Sequence, residues 1–150
     1  MPDEAATSRL GARLAPLLQP GMRIYLSGEL GSGKTALVRS ILRALGHAGP
    51  VKSPSYALVE AYVISSLYLY HFDFYRFRSE AELTDAGFEE LIDSQAVCLV
   101  EWPEKAGQLP EPDIAIAFSP AGAGRRVTIE ARSEAGERCV SALISRGGSS

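Results

Sequence analysis

Three residue types are scarce or missing in this sequence. Its 150 residues include no asparagine, only two cysteines and only three lysines. Two cysteines do not supply a disulfide framework or a metal site, and Cys98 lies in the apolar run of residues 96–100. We therefore predict that Cys98 and Cys139 are small buried core residues.

An excess of positive charge and long apolar runs are also absent. The 15 lysine and arginine residues are outnumbered by 18 aspartate and glutamate residues, which gives a formal net charge of -3. Without a positive field there is no gain from counterion release, so we expect any contact with nucleic acid to be indirect. No apolar run approaches the ~20 residues of a membrane span, and the N-terminus has no basic and apolar leader. We expect a cytoplasmic protein with no membrane partner.

The length and composition are typical of one globular domain. With 46% hydrophobic residues, the chain can bury one core, and no interdomain linker is visible. We predict a single domain over residues 1–145, followed by a flexible Gly/Ser tail at residues 146–150.

The first third of the sequence predicts a helix, a strand, a loop and a second helix. Thr7 or Ser8 can cap a helix whose leucines share one face. Residues 23–27 are predicted as a short buried strand. Residues 34–45 carry apolar side chains at helical spacing, and Gly46 closes this second helix.

The rest of the sequence predicts mainly strands. Alternating segments form two hairpins, and one uninterrupted apolar run is typical of a strand covered on both faces. Ser79 and Glu82 form a capping box that predicts a short helix, with a further helical turn at residues 88–92. The predicted strands are residues 56–63, 67–75, 96–100, 113–119, 126–132 and 138–144.

A glycine-rich motif directly follows the first predicted strand. Gly28-Glu-Leu-Gly-Ser-Gly-Lys-Thr35 matches the phosphate loop G-x-x-x-x-G-K-[ST] at every fixed position. In such loops, glycines let backbone N–H groups surround a β-phosphate, and the next helix directs its positive end at the phosphates. The lysine would bridge the β- and γ-phosphates while the threonine hydroxyl coordinates Mg²⁺. The predicted nucleotide-contacting residues of the loop are Glu29, Leu30, Gly31, Ser32, Gly33, Lys34 and Thr35.

Two acids stand near the ends of predicted strands. Glu101 follows the apolar run directly, where phosphate-loop proteins place an acid that holds Mg²⁺. Asp73 lies near the end of another strand, so the two acids can serve one metal and one attacking water. With Lys34 they are the predicted catalytic residues, although a solvated acid after a strand is the alternative for Glu101. His71 is interpreted as a packing residue, because a lone strand histidine usually hydrogen-bonds and packs.

These elements together predict the fold class. Strands that alternate with helices around a phosphate loop indicate a three-layer α/β domain of the P-loop NTPase type. The two hairpins predict that the sheet is mixed and partly antiparallel.

Four motifs, taken in order, resemble the TsaE family, the P-loop ATPases of bacterial tRNA threonylcarbamoyladenosine biosynthesis. The family shows a G-[DE]-L-G-[AS]-G-K-T loop, then V-K-S-P-T-Y, H-F-D-x-Y-R and V-E-W-P. The corresponding segments here are residues 28–35, 51–56, 71–76 and 100–103, and the resemblance runs from about Glu4 to Arg125.

The resemblance implies an ATP-hydrolysing, Mg²⁺-dependent subunit that docks on the TsaB–TsaD protein pair and drives the cycle of these transferase partners. Contact with tRNA would be indirect. Thr35 and Glu101 would be the Mg²⁺ ligands, and Asp73 would lie close to the phosphates. Four further residues would border the nucleotide: Trp102 and Glu104 at the site, and Glu4 and Gly124 near the nucleoside.

Two positions depart from the family pattern. Ala36 stands where most members carry a second hydroxyl residue after the Lys-Thr pair, which removes an expected contact to the α-phosphate. Ser55 replaces the threonine of S-P-T and keeps the hydroxyl without the methyl group that stiffens χ1.

Three other functions are compatible with a phosphate loop. A small-molecule kinase generally has an arginine-bearing lid, and no Arg-rich insertion occurs between Arg78 and Arg125. A GTPase normally reads guanine with an Asn-Lys-x-Asp motif, which a chain without asparagine cannot form. A catalytically silent nucleotide-binding adaptor stays open, because only Asp73 and Glu101 argue against it.

Overall fold

The computed structural model describes residues 4–29, 33–51, 59–64, 67–74, 90–91, 95–106, 109–121 and 124–147. Its helices are α1 (Glu4–Leu14), α2 (Lys34–Leu45) and α3 (Glu134–Gly147), with short 3-10 turns at Ala15–Leu17 and Pro103–Ala106. Its strands are β1 (Arg23–Ser27), β2 (Val59–Ile64), β3 (Leu67–Asp73), β4 (Val97–Glu101), β5 (Ile114–Ala121) and β6 (Gly124–Ala131).

The described strands form one six-stranded sheet in the order β2-β3-β4-β1-β5-β6. β1 runs parallel to β4 on one side and to β5 on the other, and β3 runs parallel to β4. β2 and β6 pair antiparallel with β3 and β5 at the two edges. The predicted α/β class, the mixed sheet and both hairpins are therefore confirmed, and the parallel strands bring their carboxyl ends to one edge.

The two faces of the sheet are buried by different partners. One face, which includes Ile24, Leu26 and Leu99, packs with α1, α2 and α3 in the larger core. The opposite face is aromatic and is covered by Leu91, Trp102 and Leu109 in the part of the chain that is described. All five residues of β4 are buried, as expected for a central strand. The residues on the aromatic face are Tyr25, Phe72, Phe74, Cys98 and Val100.

Left-handed glycines mark both ends of α2. Gly33 precedes the helix with φ 113°, and Gly46 follows it with φ 105° and donates its N–H to the Arg43 carbonyl over 3.1 Å. A residue with a Cβ rarely adopts such angles, so the two glycines set where the helix begins and ends. The predicted boundaries of β1 and α2 are confirmed, and both cysteines are buried as predicted.

The strand predicted at residues 138–144 is wrong, because these residues belong to α3. Cys139 and Leu143 lie four residues apart and are both buried, which is the spacing of one helix face. Ser133 caps the helix: its Oγ accepts the Gly136 N–H over 2.9 Å and donates to the Asp113 carboxylate over 2.6 Å. The helix also continues to Gly147, into the first residues of the expected tail.

Two other helix predictions have different outcomes. α1 begins at Glu4, so Thr7 and Ser8 lie inside the helix rather than at its cap. The helix expected from Ser79 lies outside the described residues, and of the turn expected at residues 88–92 only Glu90 and Leu91 are described, both helical. No helix in the described ranges is both long and apolar enough to cross a membrane.

We predict that Gly136→Ala destabilises the protein by about 1–3 kcal/mol, the usual range for overpacking. A Cβ at this position would lie 2.0 Å from the Asp113 carbonyl oxygen, a backbone atom that cannot move aside without disturbing the start of β5. Ser141→Ala on the exposed side of the same helix is the control and should not destabilise. Chemical denaturation of both variants checks this, and equal stability would show that α3 can shift away from β5.

Candidate functional site

The candidate site lies at the edge of the sheet where the parallel strands end. Glu101, the last residue of β4, pairs in register with Leu26 of β1 on one side and with Asp73 of β3 on the other. The phosphate-loop motif leaves β1 after Ser27 and enters α2 at Lys34. Both predicted acids and the predicted lysine therefore converge at a single edge, next to the central strand.

The described ends of the loop have the backbone of a tight glycine turn. Gly28 and Gly33 have φ angles of 142° and 113°, which residues with a Cβ rarely adopt. A Cβ on Gly33 would also lie 3.4 Å from the Phe118 ring of β5. Gly33 places no side chain beside the first N–H groups of α2. The N-terminus of a helix attracts anions, so this position suits a phosphate. Three predicted loop residues, Leu30, Gly31 and Ser32, lie outside the described residues.

Lys34 is buried beside this loop, with 3% of its surface exposed. Its ammonium group donates to the Gly28 carbonyl and, over 3.4 Å, to the Glu29 carbonyl. The same group lies 3.8 Å from the centroid of the Trp102 ring, in cation–π contact. Burial lowers the pKa of Lys34 from its ordinary value, and Glu101, Glu104 and Asp73 oppose that shift by favouring the charged form. Among the described residues, the groups at contact distance from this cation are neutral, and three acids act on it through their field.

Glu101 is the most enclosed of the acids, with 2% of its surface exposed. The Thr35 hydroxyl donates to both of its carboxylate oxygens, over 3.1 Å to Oε1 and 3.0 Å to Oε2. His71 Nε2 lies 2.6 Å from Oε2. A buried carboxylate is costly without such partners. The interpretation of Glu101 as a solvated strand end is therefore wrong.

His71 contacts an acid of the site, which the sequence interpretation of a packing residue did not anticipate. The sequence does contain one indication of this contact. His71 and Asp73 are two residues apart on one strand, so their side chains lie on the same face of the sheet. Once β3 and β4 are known to be parallel neighbours, that face includes Glu101. From the sequence alone, which does not give the strand pairing, Glu101 cannot be identified as the partner of His71.

Trp102 adopts a left-handed backbone with φ 57°, which is uncommon for a residue other than glycine. Its N–H donates to the Leu26 carbonyl over 3.2 Å, so the turn that follows β4 is fixed to the central strand. This turn brings the indole over Lys34 and leads into the 3-10 turn that begins Pro103-Glu104. Trp102 thus borders the cluster and Glu104 follows in the next turn, and their contact with a nucleotide stays a prediction.

Two other residues expected near the nucleoside lie on different elements. Gly124 begins β6 and pairs with Ala121 at the tip of the β5–β6 hairpin. This hairpin extends four residues beyond Ala117, the last residue paired with β1, or about 13 Å past the strand end. Glu4 begins α1. The roles of Glu4 and Gly124 stay predictions.

The cluster offers oxygen atoms that suit a hard cation. The Thr35 hydroxyl and the Glu101 carboxylate are adjacent, and Mg²⁺ is usually bound through one or two protein oxygens together with substrate phosphates and waters. The described ranges contain no group of three or more His, Cys, Asp or Glu residues that could hold a metal by itself. The residues present fit a cation shared with a bound phosphate rather than a fully protein-ligated metal.

Comparisons with known proteins identify related sequences. Residues 1–128 match the family model described as "Threonylcarbamoyl adenosine biosynthesis protein TsaE". The chain is 38% identical to the tRNA threonylcarbamoyladenosine biosynthesis protein TsaE of Haemophilus influenzae, over 95% of this chain and 94% of the relative. It is 36% identical to the protein of the same name from Bacillus subtilis, over 83% of this chain and 77% of the relative.

A solved structure shares the fold. The crystal structure of Bacillus subtilis YdiB matches with a TM-score of 0.83 and 28% sequence identity, covering 98% of this chain and 93% of that one. A family match over residues 1–128, relatives aligned over 94% and 77% of their own length and a common fold lead to one conclusion: the chain belongs to the TsaE family.

Proposed function

We propose that this protein binds ATP with Mg²⁺ and hydrolyses it in tRNA threonylcarbamoyladenosine biosynthesis. The observation that carries the proposal is the buried contact of Thr35 with Glu101 beside the enclosed ammonium of Lys34. A phosphate loop that only filled a turn would not need a buried cation and a buried acid at its end. The family name, and the names of the relatives, supply the pathway.

Lys34 has neutral partners that a nucleotide would replace. The ammonium group contacts two backbone carbonyls and an indole ring, all weaker partners than a phosphate. Because burial has already removed most of its water, exchanging these contacts for phosphate oxygens costs little further desolvation. Lys34 would therefore stabilise the negative charge that develops on the oxygen between the β- and γ-phosphates as that bond breaks.

The two acids have separate roles in the proposal. Bound Mg²⁺ would offset the charge of the phosphates, with Thr35 and Glu101 as its protein ligands. Both oxygens of Glu101 already accept hydrogen bonds, so this residue is poorly suited to take a proton from water. Asp73 pairs with Glu101 in register and is only half-buried, so we assign it to orienting the attacking water.

The partners are proposed from the family alone. We propose that the protein docks on the TsaB–TsaD pair in the cytoplasm, that hydrolysis drives the cycle of that pair, and that tRNA is contacted only indirectly. The net charge of -3 supports an indirect role, because it offers no gain from counterion release.

Phosphate release tests hydrolysis against the silent-adaptor alternative. We expect the purified chain to release radiolabelled phosphate from ATP in the presence of Mg²⁺, and to release it faster when the TsaB–TsaD pair is added. A silent adaptor would release none in either case. Nucleotide binding without release under both conditions would therefore contradict the proposed ATPase activity.

We predict that Lys34→Ala lowers ATP hydrolysis by at least about a hundredfold, a loss of roughly 2.7 kcal/mol, because it removes the cation at the phosphate loop. Arg39→Ala, an exposed cation on the same helix, is the matched control and should keep wild-type turnover. Steady-state phosphate release compares the two. Full turnover by the Lys34 variant would refute the phosphate-loop assignment.

We predict that Glu101→Gln separates nucleotide binding from turnover. The amide keeps the shape but not the charge, so hydrolysis should fall by at least about tenfold, or roughly 1.4 kcal/mol, while binding in the presence of a chelator persists. Trp102, the only tryptophan, follows position 101 and reports on the site by fluorescence. Glu60→Gln on the exposed face of β2 is the control. Unchanged turnover in Glu101→Gln, together with a Trp102 signal indifferent to Mg-nucleotide, would remove Glu101 from the site.

A further inference from the structure

One buried titratable side chain beside the site has no role in the chemistry above. His71 has 0% of its surface exposed, and its Nε2 lies 2.6 Å from Oε2 of Glu101. Its other ring nitrogen, Nδ1, is buried and has no hydrogen-bond partner within the described part of the chain. A histidine that only filled the core would gain nothing from leaving one nitrogen unpartnered.

The sheet register places His71 directly below the acids. It pairs with Leu99, whereas Asp73 pairs with Glu101 one step closer to the strand ends. His71 therefore lies in the layer of Leu99, between the layer of the two acids and the layer of Leu69 and Val97. From this layer the ring reaches diagonally to the Glu101 carboxylate.

The unpartnered nitrogen indicates which tautomer is present. If Nε2–H donates to Glu101, a neutral ring leaves only a lone pair at Nδ1 without a partner. Nε2 faces an acceptor, the Glu101 carboxylate, so it is the ring nitrogen that carries the donated hydrogen.

The two donors to Glu101 act differently on its orientation. The Thr35 hydroxyl is nearly equidistant from both carboxylate oxygens, at 3.1 and 3.0 Å, so it does not select one rotation of the group. His71 bonds to Oε2 only. It therefore fixes the plane of the carboxylate and leaves Oε1 the less engaged oxygen.

We propose that His71 is a positioning residue that orients the Glu101 carboxylate for the cation that accompanies the nucleotide. The inference rests on the proposed function, since it needs Glu101 to be a ligand of that cation. Hydrogen bonds to ligating carboxylates and imidazoles from neighbouring side chains typically change metal affinity by about 10- to 100-fold. We expect an effect of this size at His71.

Two amide substitutions test whether His71 acts through the position of its donor or only through the polarity of its side chain. In His71→Gln the side-chain amide nitrogen falls near the position of Nε2 and can still donate to Glu101. In His71→Asn the same amide is one carbon shorter and falls near Nδ1, out of reach of the carboxylate. Leu69→Val, two residues earlier on the same strand face, controls for loosening of β3.

The measurement is calorimetric binding of a non-hydrolysable ATP analogue, in excess Mg²⁺ and in excess chelator, which requires no turnover. We expect all four proteins to bind equally in chelator. The gain in affinity on adding Mg²⁺ should fall by about tenfold or more in His71→Asn and stay within about threefold of wild type in His71→Gln and Leu69→Val. Thermal unfolding of each variant accompanies the titrations.

The possible results separate a failure of the positioning role of His71 from a failure of the proposed function. If the wild type gains affinity with Mg²⁺ but His71→Asn retains the whole gain, the positioning role is overturned and the proposed function stands. Equal loss in the Asn and Gln variants also overturns it, because the donor at Nε2 is then not what matters. If the wild type binds no ATP analogue, or gains nothing from Mg²⁺, the proposed function fails, and this inference fails with it.

Discussion

The site depends on one constraint, the need of a buried carboxylate for hydrogen-bond donors. β4 is buried along its whole length, so the acid that ends it is almost entirely removed from water. An unpartnered carboxylate there would cost several kcal/mol or would take up a proton. Thr35 of α2 and His71 of β3 provide the donors, and in doing so they tie a helix and a neighbouring strand to the central acid. The same contacts that make burial tolerable also fix the positions of the groups that the proposed function assigns to the nucleotide site.

The charges of the cluster do not balance by themselves. One ammonium group, Lys34, lies in the field of Glu101, Glu104 and Asp73, so the local sum is negative before any phosphate arrives. A polyphosphate would increase that repulsion unless a divalent cation came with it. This arithmetic supports a site that takes a Mg-nucleotide rather than free nucleotide. It also agrees with the proposal of two protein oxygen ligands, since the described residues contain no cluster that could hold a metal by itself.

How far the sequence predicts the structure depends on whether its signals are local. The boundaries of β1 and α2 are correct because Gly33 and Gly46 mark the helix ends in the sequence itself. The strand predicted at residues 138–144 is wrong, and the Ser133 cap that begins α3 there is completed by Asp113, twenty residues away in sequence. The contact of His71 with Glu101 spans thirty residues and follows only from the parallel register of β3 and β4. The motif residues can be identified from the sequence. The contact of His71 beneath them can be identified only once the pairing of the strands in the sheet is known.

Backbone hydrogen bonds and side-chain hydrogen bonds stabilise different parts of the site. The turn after β4 is cross-linked to both neighbouring strands, since Phe74 N–H donates to the Glu101 carbonyl over 3.1 Å and Trp102 N–H donates to the Leu26 carbonyl over 3.2 Å. These bonds fix where the Glu101 Cα lies, but not how its carboxylate is rotated. That rotation is left to the side-chain donors, of which His71 bonds to one oxygen only and Thr35 contacts both almost equally. The frame is shared with the YdiB structure at 28% identity, whereas the rotation of the carboxylate depends on single side chains.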